Sequence, residues 1–215
     1  MTFLNLVNNV LKRLREDEVN TVEESEYSSL VGAYVNDARI LVEDAWQWSA
    51  LKTTETFDTI VGQSKYALTD VDYRSEVLRV LDTADKRELK YQTSRDFRLE
   101  RMISDSSNSK PLYYTFNDTD ANGDLNIEIT PNPDTIRTID VDVVKRTKEL
   151  VNDSDTLTIP SNPVVQLAYA MCIQERGEAG GLSSTQQFAI AQRAMQDAIA
   201  LDATKHPEEL TWYYQ

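Results

Sequence analysis

The spacing of apolar residues changes twice along this chain, and that change limits the folds open to it. Near both ends they recur every three or four positions, the period of a helix. Between the ends they recur every second position, the period of a strand. Leu4, Val7, Leu11 and Leu14 share one helical face, which Glu16-Asp17-Glu18 and Asn20 interrupt. Thr21, with Glu24 three residues on, predicts the cap of a second helix. Tyr27, Leu30, Val31, Tyr34, Ala38, Leu41, Val42 and Ala45 then give an apolar stripe of about five turns, ending in Trp46-Gln47-Trp48. Gly32 inside it costs about 1 kcal/mol relative to Ala, which predicts a close neighbouring helix there.

From about residue 52 the period is two. Thr54, Thr56, Phe57, Ile60 and Val61 run to Gly62-Gln63-Ser64, then Tyr66 and Leu68 follow, which predicts a hairpin turning at Gly62. Strands are predicted over 77–81 and 88–91, around a turn at Ala84-Asp85. Residues 94–102 are ambiguous, with a short helix as one reading, and Asp105 to Ser109 is a polar loop. Runs 112–116 and 125–129 flank Asp120-Ala121-Asn122-Gly123, and Asn-Gly between alternating apolar runs is the strongest short hairpin signal. Pro131-Asn132-Pro133-Asp134 ends that strand; Ile136, Ile139, Val141 and Val143 mark another, and Leu157 and Ile159 a last one before Pro160. Helix returns with Val164, Leu167, Ala168, Met171 and Cys172 on one face, and stops over Gly177 to Gly181. Ser184 with Gln187 resembles a capping box, and Phe188, Ala191, Met195, Ala198, Ile199 and Asp202 continue the helical spacing to Lys205-His206-Pro207.

The order predicts an α+β fold. Residues 1–50 and 161–205 form a discontinuous helical bundle, because neither half alone has enough apolar face to be stable. An antiparallel β domain, a sandwich or small barrel, is inserted over 51–160. An extended tail covers 206–215.

Composition narrows the function. With 36 acids and 22 bases in 215 residues, the net charge is −14, which excludes a generic basic coat for nucleic acid. The balance is −5 over 1–50, −6 over 51–160 and −3 over 161–215, so the acidity is spread along the chain. One cysteine, Cys172, excludes an internal disulfide and suggests assembly in a reducing compartment. The first residues have their apolar stripe ahead of their charges, the wrong order for a signal peptide. No apolar run approaches about 18 residues, so no membrane span is expected.

Catalytic signals are poor. The only histidine, His206, precedes Pro207 near the end of the chain. Nucleophile-elbow, phosphate-loop and dinucleotide fingerprints are missing. Cys172 sits on an apolar helical stripe, which favours core over reactive thiol. No pair among the 36 acids is marked as a hydrolase dyad. Asp118-Thr119-Asp120-Ala121-Asn122-Gly123-Asp124 matches the first half of a calcium loop, but the twelfth position is Ile129, so the hairpin reading is preferred to a cation site. No catalytic residue, cofactor or metal site is therefore assigned. Trp46 and Trp48 read as packing between the bundle and the β domain, with carbohydrate stacking as the alternative. Leu210, Trp212, Tyr213 and Tyr214 lie in an unpatterned tail. They either fold back on the chain's own core or form a docking peptide for a partner.

The order of these features resembles the head–tail adaptor proteins of tailed bacteriophages, in particular the tail-tubular-protein-A type. The residues that carry it are Val35 to Trp48, Thr59-Ile60-Val61-Gly62-Gln63-Ser64-Lys65-Tyr66-Ala67-Leu68, Pro111-Leu112-Tyr113-Tyr114-Thr115-Phe116, Ile129-Thr130-Pro131-Asn132-Pro133-Asp134 and Leu157-Thr158-Ile159-Pro160. The resemblance covers nearly the whole chain and implies a non-enzymatic virion protein of the neck, assembled in the host cytoplasm. It implies a ring, usually of twelve subunits, between the portal protein above and a tail nozzle or other tail protein below. It also implies that the tail at Leu210, Trp212, Tyr213 and Tyr214 docks on the portal. A conduit for double-stranded DNA must not hold it, and a wall of carboxylates repels phosphate. Asp37, Glu43 and Asp44 are the candidate channel-facing acids. The competing readings are another neck, tail-completion or baseplate protein, or a carbohydrate-binding or hydrolytic tail module.

Overall fold

The computed structural model describes residues 1–103, 108–177 and 184–205. Among them are five α-helices: α1 (Phe3–Arg13), α2 (Glu26–Asp44), α3 (Ser94–Ile103), α4 (Ser161–Glu175) and α5 (Ser184–Ala203). Eight strands accompany them: β1 (Lys52–Asp58), β2 (Lys65–Ala67), β3 (Glu76–Asp82), β4 (Arg87–Glu88), β5 (Lys90–Tyr91), β6 (Tyr113–Thr119), β7 (Leu125–Thr130) and β8 (Thr138–Val144). The fold is mixed α+β. The chain divides into two units, one of Met1–Ala50 with Thr147–Gln215 and one of Leu51–Arg146.

In the helical unit, α4 packs against α1, α2 and α5, and α1 against α2. The core takes Leu6, Val7 and Val10 from α1, Val31, Val35 and Val42 from α2, and Val164 and Ala168 from α4. At Gly32 a Cβ would lie 2.8 Å from Val22 Cγ1 and 3.2 Å from Phe3 Cζ, so the expected close neighbour exists and includes α1. The cap of α2 falls later than expected. Ser25 and Ser28 form a reciprocal capping box, while Thr21 accepts the Glu24 N–H in the preceding turn. The stripe of α2 is also rotated from its sequence reading. Leu41 is 51% exposed, whereas Arg39 and Glu43 are buried. Pro163 lies in the first turn of α4, where its missing N–H costs no helical hydrogen bond. The strand expected at Leu157 and Ile159 does not form. Both side chains are buried, but the segment is stitched to the start of α1, by Phe3 N–H to Asp155 O (2.8 Å) and Leu157 N–H to Met1 O (3.0 Å).

The second unit holds two four-stranded sheets, ordered β1-β8-β3-β4 and β2-β7-β6-β5. Neither sheet closes on itself, so the barrel alternative is set aside. The all-antiparallel expectation is corrected as well, because β5 runs parallel to β6. The hairpin expected at Gly62 is a crossover between sheets: β1 pairs with β8 and β2 with β7. Gly62 has φ +79° and donates to Pro133 O (3.0 Å), which turns the chain away from β1. The β6–β7 hairpin forms as read, with Gly123 at φ +87°. One buried apolar cluster draws Val80, Ile139, Val141 and Val143 from the first sheet and Tyr66, Tyr114, Ile127 and Ile129 from the second.

Candidate functional site

The polar side chains of interest are those that fix a surface and those that line it. The α2 helix carries both. Its inner face carries a buried polar cluster that holds the segment returning from residue 147. Arg39 Nη1 donates to Glu43 Oε1 (3.1 Å), to Thr147 O (2.7 Å) and to Thr147 Oγ1 (2.6 Å). The Thr147 hydroxyl donates in turn to Glu43 Oε1. One turn earlier, Asn36 Nδ2 donates to Leu150 O and accepts the Leu150 N–H, both at 3.0 Å. A buried Arg–Glu pair gains little net stability, because desolvation offsets the attraction, whereas removing one partner alone is costly. Sequence reasoning missed Arg39. The signal was available, since Arg39 and Glu43 sit at i, i+4 on the side of α2 that carries Val35 and Val42.

Of the three candidate channel acids, Asp37 and Asp44 are exposed on the outer face of α2. Glu43 is corrected: it is 0% exposed, and Arg39 and Thr147 take its carboxylate inward. The end of α2 is pinned by Trp48, which is buried and donates its indole N–H to Val42 O (2.7 Å). Ser49 gives both its backbone N–H (2.8 Å) and its hydroxyl to the Asp202 carboxylate on α5. Burial works against the Asp202 charge, but the Ser49 hydrogen bonds and the Lys205 ammonium outweigh it and hold the carboxyl at about 2. Gln187, read as a capping-box partner, instead donates from α5 to Gln166 Oε1 on α4 (2.8 Å). Arg176 lies 4.4 Å from the centre of the Tyr27 ring and bonds Glu16 at 2.7 Å, so α4, α2 and the acidic stretch before α2 are tied together.

In the other unit, buried Arg137 meets three carboxylates: Asp82 (3.2 Å), Asp85 (3.0 Å) and Asp134 (3.2 Å). It thereby locks the β3–β4 turn to the loop before β8. The Lys110 ammonium and, behind it, Arg137 hold Asp85 below the usual carboxylate range. Cross-strand hydroxyl–carboxylate bonds run along β1 and β8, from Thr54 to Asp142 (2.7 Å) and Thr56 to Asp140 (2.9 Å).

In the acid-rich loop at 118–124 the Asp118 and Asp120 carboxylates are engaged. Asp120 Oδ1 accepts the N–H groups of Asn122 (2.8 Å) and Asp124 (2.9 Å), an Asx turn of the hairpin. Asp118 takes Lys65 (2.7 Å) and Asn126 (2.9 Å), which lower its pKa. Among the described residues, no group of three or more His, Cys, Asp or Glu is placed to hold a metal. Burial pushes the Cys172 thiol up to about 12, so it is a core side chain without thiolate character. Among the described residues, no helix is long and apolar enough to cross a membrane. His206, Leu210, Trp212, Tyr213 and Tyr214 lie outside the described residues. No curated protein matches the chain. Its residues 1–210 match the model of the SU10 adaptor protein family.

Proposed function

The chain belongs to the SU10 adaptor protein family of phage structural proteins, and we propose that it is the virion neck component joining the capsid portal to the tail. The family match over residues 1–210 carries this reading. In it, copies self-associate into a ring, of twelve by the head–tail adaptor resemblance, stacked between the portal protein and a tail nozzle or equivalent protein. The four helices of the discontinuous unit act as a bundle, and the two sheets that share one apolar core act as a β-sandwich. Asp37 and Asp44, exposed on α2, line a passage through which double-stranded DNA slides without being held, because carboxylates repel its phosphates. Leu210, Trp212, Tyr213 and Tyr214 dock into the portal as aromatic anchors. No step of this function needs a covalent intermediate or a cofactor. Assembly in the host cytoplasm suits a chain whose single thiol is buried.

The direct test is an averaged electron-microscopic reconstruction of the native virion neck. The expected result is a closed ring of this chain beneath the portal, with Asp37 and Asp44 facing the lumen. A neutral or basic lumen, or this chain located in the baseplate, would overturn it. Truncation after His206 is expected to abolish portal binding and leave the melting temperature unchanged; a large fall in melting temperature would instead assign the tail to the chain's own core.

A further inference from the structure

The exposed face of α3 is chemically unlike the rest of this acidic chain. Arg95, Arg98, Leu99 and Met102 fall at i, i+3, i+4 and i+7, so they form one stripe along the helix. The opposite side carries Phe97, fully buried, and packs against β6 and β7. The stripe faces outward: Leu99 is 47% and Met102 84% exposed. With Ser94 and Asn117 these four residues line an open groove of about 620 Å³. Arg101, one step round the helix, is engaged with Glu128 at 3.4 Å. Arg95 and Arg98 have no carboxylate partner among the described residues. In a chain with 36 acids and 22 bases, two adjacent unpaired guanidinium groups beside two exposed apolar side chains are an unusual combination. An apolar stripe flanked by cations suits an acidic surface with some apolar content.

Such a surface exists on the chain itself. Residues 51–146 carry 14 bases against 18 acids, a balance of −4, whereas the remainder carries 8 against 18, a balance of −10. The densest part of that excess is 16–26, with six carboxylates and no base. This stretch is held in place. Asn8 accepts the Val19 N–H and donates to Val19 O, both at 2.9 Å, and Val22 N–H bonds Asp153 at 2.9 Å. Glu16 and Glu18 are used by Arg176 and Lys12. Asp17 and Glu23 are exposed and unpaired among the described residues, with half-buried Val19 between them.

We infer that the Arg95–Arg98–Leu99–Met102 face of one copy docks on the Asp17–Glu23 stretch of a second copy, a head-to-tail contact. Two different, complementary patches are what a heterologous contact requires, and repeated heterologous contacts generate rings when the rotation closes. The inference rests on the self-association proposed above and names the surfaces that make it.

Charge reversal tests it by sedimentation velocity of the full chain across a range of concentrations at low salt. The wild type is expected to self-associate, and to do so less as salt rises. Arg95→Glu with Arg98→Glu should weaken association at least about tenfold, because like charges then face each other. Asp17→Lys with Glu23→Lys should do the same, and the four substitutions in one chain should restore it. Unchanged circular-dichroism melting shows that each variant is folded. Equal association by the wild type and the Arg95→Glu/Arg98→Glu variant would overturn the inference and leave the ring reading standing. A wild type that stays monomeric under these conditions would overturn it too. Restored association in the combined variant, with no ring in the virion neck, would keep the contact and remove the ring.

Discussion

The two units of this protein bury charge in opposite ways. In Leu51–Arg146, a continuous stretch, Arg137 meets three aspartates and joins two loops of a unit that contains the local hairpins β3–β4 and β6–β7. In the helical unit, Arg39 and Glu43 meet on one helix and reach across more than a hundred residues to Thr147. The difference follows from connectivity. A unit built from both ends of the chain pays the closure entropy of its insertion, and apolar stripes alone leave helix register loose. Directional polar bonds at the re-entry point, Asn36 to Leu150 and Arg39 to Thr147, specify where the returning chain must lie. The β unit gets its register from ladders, and its buried cation serves to fix loops.

Five substitutions press on that contrast. Arg39→Met takes the guanidinium away from the buried Glu43 carboxylate and is expected to cost about 3–5 kcal/mol; adding Glu43→Leu should recover most of it. Urea unfolding followed by circular dichroism reads both, and a cost for the single variant below about 1 kcal/mol would show that the cluster does not anchor the helical unit. Arg137→Met should cost less, about 2–3 kcal/mol, because Asp85 and Asp134 are less buried than Asp82. Its effect should appear in hydrogen exchange of residues 51–146 alone; equal loss of protection in both units would contradict the division drawn here. Asp202 gives a pH signature. Its folded carboxyl lies at about 2, below its ordinary 3.8, so the stabilisation is fully present above about pH 4 and lost as pH falls through 2. That contribution is about 2 kcal/mol, and Asp202→Asn should flatten stability across this range. A variant as acid-sensitive as the parent would locate the effect elsewhere. The smallest effect is expected from Gly123→Ala, about 1 kcal/mol, since φ is +87° but a Cβ would meet nothing within 4 Å. A gain in melting temperature would mean that the hairpin turn relaxes without strain.

How much of this was legible beforehand depends on distance along the chain. Helices at both ends and the Asn122-Gly123 hairpin follow from neighbours within a few residues, and a glycine inside the α2 stripe announces a close approach although Phe3 and Val22, further off in sequence, supply it. The Gly62 turn misled because a turn signal states that the chain reverses, not which strand it reverses onto; β1 and β2 part to different sheets. The rotation of α2 misled because Leu41 looks more apolar than Arg39; the i, i+4 pair with Glu43 hinted at an inside arginine, and Thr147, 108 residues away, completes its hydrogen bonds. The α3 stripe was ambiguous for a related reason. Arg95, Arg98 and Met102 carry a helical period without an apolar core face strong enough to declare it.

The sequence by itself determined the α+β class and the helical ends around a β-rich middle, because periodicity and turn chemistry are local properties. Tertiary structure alone decided which acids are surface and which are core. It separated Asp37 and Asp44 from Glu43, and it left Arg95 and Arg98 without a carboxylate partner among the described residues. Charge is written residue by residue, but its partners and its solvent are set only when distant segments meet.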